Sequence, residues 1–125
     1  MKKLLIASCV ALALPTAAFA DVAAELTVAD SHAGFAAKAT TIDMVHMHLH
    51  HVLNCLVGPS GTGFDSTNAN PCAKAGNGAI PDASAAQKAK LEPAVSAANA
   101  GLAATDVATA QADAQKASAA IEAAK

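Results

Sequence analysis

Residues 44–56 read MVHMHLHHVLNCL. Apolar side chains recur in this stretch at intervals of three and four residues, the spacing that places them on one face of an α-helix. The same pattern extends upstream, and it predicts a single buried helix face. The apolar set on that face consists of Phe35, Ile42, Val45, Leu49, Val52, Leu53 and Leu56.

The limits of this helix are marked by residues that favour helix ends. Asp30 or Ser31 can cap its start, because a short polar side chain accepts a hydrogen bond from the first free backbone amides. Gly58 and Pro59 can end it, since glycine is favoured just past a helix and proline cannot continue one. Between these limits there is no proline, and the only glycine falls in the first turn. We therefore predict one helix over about residues 30–57.

The first twenty residues have the three parts of a secretory signal peptide: a basic start, an apolar run and a small-x-small cleavage motif. The apolar run is shorter than the roughly 20 residues that a membrane span needs. We predict cleavage after residue 20, a single helical domain over 21–125 with no membrane span, and a periplasmic or secreted location. The three parts are Lys2 and Lys3, Leu4 to Leu14, and Ala18-Phe19-Ala20.

The charge of the chain excludes some partners. The whole sequence carries a formal net charge of −2, and loss of Lys2 and Lys3 with the signal peptide would leave about −4. A negative domain is unsuited to nucleic acid, which is bound by basic surfaces, and to anionic membrane surfaces. It is suited to cations.

Residues 58–81 contain many Gly, Pro, Ser and Asn residues and show no sustained apolar period, so they predict a long loop. Two cysteines remain after signal cleavage, Cys55 at the end of the helix and Cys72 in the loop. Exported cysteine pairs usually form disulfides. We predict a Cys55–Cys72 bridge that tethers the loop, with a free Cys55 thiolate ligand as the alternative.

Residues 82–124 predict a helical hairpin. Pro93 lies inside its first segment and predicts either a kink near Ala89 or the start of a new helix, and Gly101 should end that segment. In the second segment small residues repeat at intervals of three and four, which favours close antiparallel packing within the chain or in a homo-oligomer. The expected fold is all-α, a three-helix or alternatively a four-helix bundle. The repeating residues are Val107, Ala110, Ala114, Ala117 and Ile121.

Residues 91–125 resemble the repeat unit of the small metal-binding protein family, which are histidine-rich periplasmic helical bundles. The resemblance lies in the spacing of seven residues, and it implies a helical scaffold, the periplasm and binding of copper or other divalent metals. The hairpin itself contains no histidine, so the ligands of that family cannot be transferred to it. The matching residues are Leu91, Ala94, Gly101, Asp106, Ala108, Ala114 and Ala117.

The predicted helix carries two polar stripes that flank its apolar face. Neighbours within each stripe are three or four residues apart, the spacing at which helix side chains meet. The first stripe predicts a site with His46 and His50 as principal ligands and Asp43 as a further ligand or an orienting group. The second predicts a softer site that suits Cu(I). Its members are Met44, Met47, His48 and His51, followed by Cys55.

These patterns predict an exported metal-binding protein for sequestration or delivery, with copper as the favoured metal and zinc or nickel as alternatives. The other function class is a structural or protein-interaction helical module. The sequence contains no activated nucleophile, phosphate-binding loop or redox motif, so we do not expect an enzyme. On one straight helix His32 would lie about 27 Å from His50, so we expect it to be a surface residue.

Overall fold

The computed structural model describes residues 20–125, so the predicted signal peptide lies outside the described residues except for Ala20. The described part consists of helices and contains no strands, which confirms the all-α prediction there. No helix in this part is long and apolar enough to cross a membrane. The helices are α1 (Val22–Ala36), α2 (Ile42–Val57), α3 (Ala79–Asp82), α4 (Ala85–Ala103) and α5 (Val107–Glu122).

The prediction of one helix over residues 30–57 is wrong, because the chain breaks at residues 37–41 into two helices. Asp21 caps α1 by accepting a hydrogen bond from the backbone amide of Ala24 at 2.9 Å. Thr41 lies in extended backbone and caps α2 by accepting a hydrogen bond from the amide of Met44 at 3.3 Å. A threonine cap of this kind starts a new helix, and α1 consequently folds back against α2.

The four longer helices pack in a ring, in which α1 contacts α2 and α5, and α4 contacts α5 and α2. Helix α2 supplies most of the large buried side chains, including Val45, Leu49, Val52 and Leu56. The other helices face it mainly with alanine, whose small side chain lets helix backbones approach closely. The fully buried alanines on these helices are Ala29, Ala33, Ala36, Ala94, Ala98, Ala110, Ala114 and Ala117.

Two details of the hairpin bear on the sequence prediction. Helix α4 continues through Pro93, so of the two predicted alternatives the restart at Pro93 is wrong and the kink near Ala89 stays a prediction. Pro93 itself is exposed, so its ring meets solvent. Gly101 lies within α4 rather than at its end and is buried. A Cβ at this position would lie 2.6 Å from Leu49 Cδ1, so a side chain here would displace the end of the Leu49 side chain.

The segment between α2 and α3 is held against α2 by a covalent bond and by hydrogen bonds. Cys55 and Cys72 form a disulfide with a Cα–Cα distance of 5.1 Å, which confirms the predicted bridge. The neighbouring Asn54 is buried. Its Nδ2 donates to the carbonyl oxygen of Asp65 at 2.9 Å, and its Oδ1 accepts from the Asp65 amide at 2.9 Å. A buried amide with these partners ties the loop to α2.

Candidate metal centre

Three histidines from two helices meet beside the break between α1 and α2. His32 Nδ1 of α1 lies 3.2 Å from His48 Nδ1 and 3.3 Å from His51 Nδ1, both of α2. His48 and His51 are three residues apart, so their side chains lie on one face of the helix. Each of the three residues offers one potential ligand atom, and these atoms all lie within 4.8 Å of one another. The cluster can therefore hold a metal ion.

The distances from His32 Nδ1 to its two neighbouring nitrogens suit a single ion. Nitrogen ligands at 2.0–2.1 Å from a tetrahedral ion are about 3.3 Å apart, and the two distances from His32 are 3.2 and 3.3 Å. Three protein ligands leave the fourth position of a tetrahedral ion open, as in catalytic and exchangeable sites rather than closed structural ones.

The protonation of the cluster also favours a metal. Burial, together with the adjacent His51 and His48, lowers the pKa of His32 to about 4. Burial lowers the pKa of His48, and burial together with His48 and His50 lowers the pKa of His51. All three imidazoles are therefore neutral at pH 7, the form that binds metal.

One aromatic ring packs on the cluster, and two methionines lie near it along α2. The Phe35 ring lies with its centroid 5.6 Å from that of His32 and 5.4 Å from that of His48. Phe35 is 54% exposed, whereas the sequence pattern placed it on the buried face. Met44 and Met47 are also exposed, and each precedes a cluster histidine by four residues on α2. Two thioethers therefore lie one helical turn from the imidazoles.

His46 and His50, the predicted principal ligands, each bond to another part of the chain. His46 Nε2 donates to the carbonyl oxygen of Ala104 at 3.1 Å, since a carbonyl can only accept. His50 Nδ1 lies 3.2 Å from Asp65 Oδ2. Hydrogen bonds from Thr67 and Asn68 lower the pKa of Asp65 to about 2, so this carboxylate is ionised.

Within the described residues, the other ring nitrogen of each of these two histidines makes no hydrogen bond. In the described part of the chain, however, neither belongs to a group of three potential ligands. Asp43 is exposed on the first turn of α2. Cys55 is oxidised in the disulfide, so its sulfur is not available as a thiolate.

Sequence reasoning missed His32 because it followed the assumption of one straight helix. The expectation that His32 is a surface residue is wrong, since its imidazole is half-buried between His48, His51 and Phe35. The signal that could have revealed it is the pair Thr40-Thr41 directly before the Ile42-Asp43 start of α2. A threonine cap there predicts a second helix, and with it a return of α1 towards the histidines.

Comparisons of the chain with protein-family models, with curated proteins and with solved structures found no match. The small metal-binding protein family is therefore not shown for this chain. The functional argument rests on the geometry of the histidine cluster.

Proposed function

We propose that the protein is an exported copper-binding protein that sequesters or delivers the metal, and that His32, His48 and His51 hold the ion. The observation that carries the proposal is the convergence of three Nδ1 atoms at 3.2 and 3.3 Å around His32. A neutral imidazole has one N–H and one acceptor nitrogen. His32 Nδ1 can therefore make a good hydrogen bond to only one of its two neighbours. A bound cation would satisfy all three nitrogens.

Copper is favoured among the candidate metals for two reasons. Imidazole binds copper, zinc and nickel, and Cu(II) binds most tightly among the divalent ions of the first transition row. Met44 and Met47 add soft thioether donors close to the cluster, and thioether with imidazole favours Cu(I). Zinc in the same three-histidine site is the principal competitor.

The position of the site supports exchange of the ion. His48 and His51 are partly exposed, so a partner molecule can reach the fourth coordination position. Export is supported by the signal-like first twenty residues and by the disulfide, which persists in oxidising compartments. The proposal contains no catalytic step.

Metal titration of the purified protein, prepared without a histidine tag, tests the proposal. Calorimetry with Cu(II), Zn(II) and Ni(II) should give one ion per chain, with copper bound most tightly. The triple variant His32→Ala, His48→Ala and His51→Ala should lose this binding, with helicity by circular dichroism unchanged. Binding of no metal above the level of that variant would contradict the proposal and leave a structural or interaction module.

A second titration tests the role of the thioethers. Replacing Met44 and Met47 by Leu keeps apolar volume and removes sulfur. We expect weaker Cu(I) binding, measured by competition with a chromophoric Cu(I) chelator, and unchanged Cu(II) binding. Equal Cu(I) affinity in this variant and in the parent would exclude the methionines as ligands.

A further inference from the structure

Glu25 of α1 is a fully buried acidic residue whose hydrogen bonding is incomplete. Its side chain is 0% exposed, and Oε1 accepts a hydrogen bond from the Gly78 amide at 2.8 Å. Within the described residues, Oε2 is buried and has no hydrogen-bond partner. A buried carboxylate oxygen without a partner is destabilising, so a ligand from outside the described residues would stabilise the protein here.

A second carboxylate lies beside it. A Cβ on Gly76 would lie 2.4 Å from Asp82 Oδ2 and 2.7 Å from Glu25 Oε1. These two oxygens are therefore no more than about 5 Å apart, close enough for strong repulsion between two ionised groups. The two carboxylates share the space that a side chain at position 76 would fill.

Hydrogen bonds from Asn77 hold the Asp82 side chain in place. Its Oδ2 accepts from the Asn77 amide at 2.6 Å and its Oδ1 accepts from Asn77 Nδ2 at 3.1 Å. Burial raises the pKa of Glu25, and the charges of Asp82 and Asp21 raise it further against the lowering by the Gly78 amide. Protonation of Glu25 would remove the repulsion, but an O–H at Oε2 would have no acceptor in the described part of the chain. A cation bound between the two carboxylates would remove the repulsion, and contact with both oxygens of Glu25 would also satisfy Oε2.

We propose that Glu25 and Asp82 form a second cation site, separate from the histidine cluster, that takes a hard divalent ion of the Ca²⁺ class. Such ions are bound by carboxylate and carbonyl oxygens and by water, and softer ions prefer the imidazoles. The site joins α1 to the Gly76–Gly78 loop and to α3, so its ion stabilises the packing of the disulfide-linked segment on α1. With two carboxylates, affinity should fall in the weak range of extracellular modules, about 10⁻⁴ to 10⁻³ M.

Thermal unfolding of the purified, chelator-treated protein with and without about 10 mM CaCl₂ tests the site. At ten times the dissociation constant or more, bound Ca²⁺ should raise the unfolding temperature by roughly 4 °C or more. Glu25→Gln and, separately, Asp82→Asn should lose this rise. The matched control Glu92→Gln, which alters an exposed carboxylate on α4, should keep it.

Two results would overturn the proposal: no change of the parent's unfolding temperature up to 10 mM Ca²⁺, or an equal rise in the parent and in Asp82→Asn. If Glu25→Gln does not fold, the parent and Asp82→Asn decide. His32→Ala should retain the full Ca²⁺ effect, because the copper site uses other residues, and loss of the effect there would show that Ca²⁺ acts through the histidines.

Discussion

At the scale of single residues, protons and metal compete for the imidazoles of His32, His48 and His51. Three imidazoles with the unperturbed pKa of 6.5 would lose about 1,000-fold in apparent affinity between pH 7.5 and 5.5. Burial lowers the pKa of all three, that of His32 to about 4. We therefore predict a loss of less than about 100-fold over this range. Cu(II) titrations at the two pH values check it, and a 1,000-fold loss would contradict the lowered pKa values.

The same pKa shift predicts how the metal-free protein responds to acid. His32 has a lower pKa folded than unfolded, so the unfolded chain takes up its proton first as pH falls from about 6.5 towards 4, and stability is lost in that window. Because His32 is only partly buried, its protonation should account for roughly 1 to 3 kcal/mol of the lost free energy of unfolding. Urea unfolding at pH 7 and pH 4.5 should show a smaller drop for His32→Ala than for the parent. Equal drops would show that His32 does not titrate in this way.

At the scale of elements, the sequence predicted helical character more reliably than helix boundaries. The pattern from Ile42 to Leu56 correctly marks the buried face of α2, since Ile42 is partly buried against the core and the other members are buried in it. The extension of this pattern to Phe35 failed. The seven-residue interval between Phe35 and Ile42 fits one straight helix as well as two helices joined by a turn. Alanine around the junction supports helix on both sides and gives no apolar contrast, so only the threonine cap at Thr41 distinguishes the two arrangements.

Two glycines provide a matched test of the loop packing. Gly58 has φ of 68°, and a Cβ there would lie 1.6 Å from the Asn77 carbonyl oxygen, whereas a Cβ on Gly34 in α1 meets nothing within 4 Å. We predict that Gly58→Ala lowers the free energy of unfolding by more than about 2 kcal/mol. Gly34→Ala should leave it unchanged or raise it by up to about 1 kcal/mol. Denaturant unfolding measures both, and similar values for the two variants would contradict the described contact of Gly58 with Asn77.

At the scale of the whole molecule, the disulfide and the histidine cluster should act independently. Cys55 and Cys72 join the long loop to α2 over a sequence separation of 17, and a loop of this length predicts about 3 kcal/mol of stabilisation. The double variant Cys55→Ala and Cys72→Ala should lose about that much stability and keep its copper affinity. Lost copper binding in a folded double variant would make the bridge part of the site.

In the parent, alkylation without reductant should label neither cysteine.

The whole-molecule features that could be predicted from sequence were those that depend on local chemistry. Helical composition, the ending of α2 at Gly58 and the pairing of Cys55 with Cys72 each follow from residues close in sequence or from their compartment. The cluster could not be predicted in the same way, because His32 meets His48 and His51 only after the chain turns back at residues 37–41. The Glu25–Asp82 proximity likewise depends on how the loop lies across α1.

The most direct test of the central claim compares two variants in one Cu(II) titration. His32→Ala removes an imidazole of the cluster that lies outside the histidine-rich stretch, and the double variant His46→Ala and His50→Ala removes two imidazoles from the predicted first stripe. The three-histidine site predicts at least a tenfold loss of affinity in His32→Ala, since one ligand is gone, with near-parental affinity in the double variant. Parental affinity in His32→Ala together with lost binding in the double variant would contradict the account and place the metal at His46 and His50.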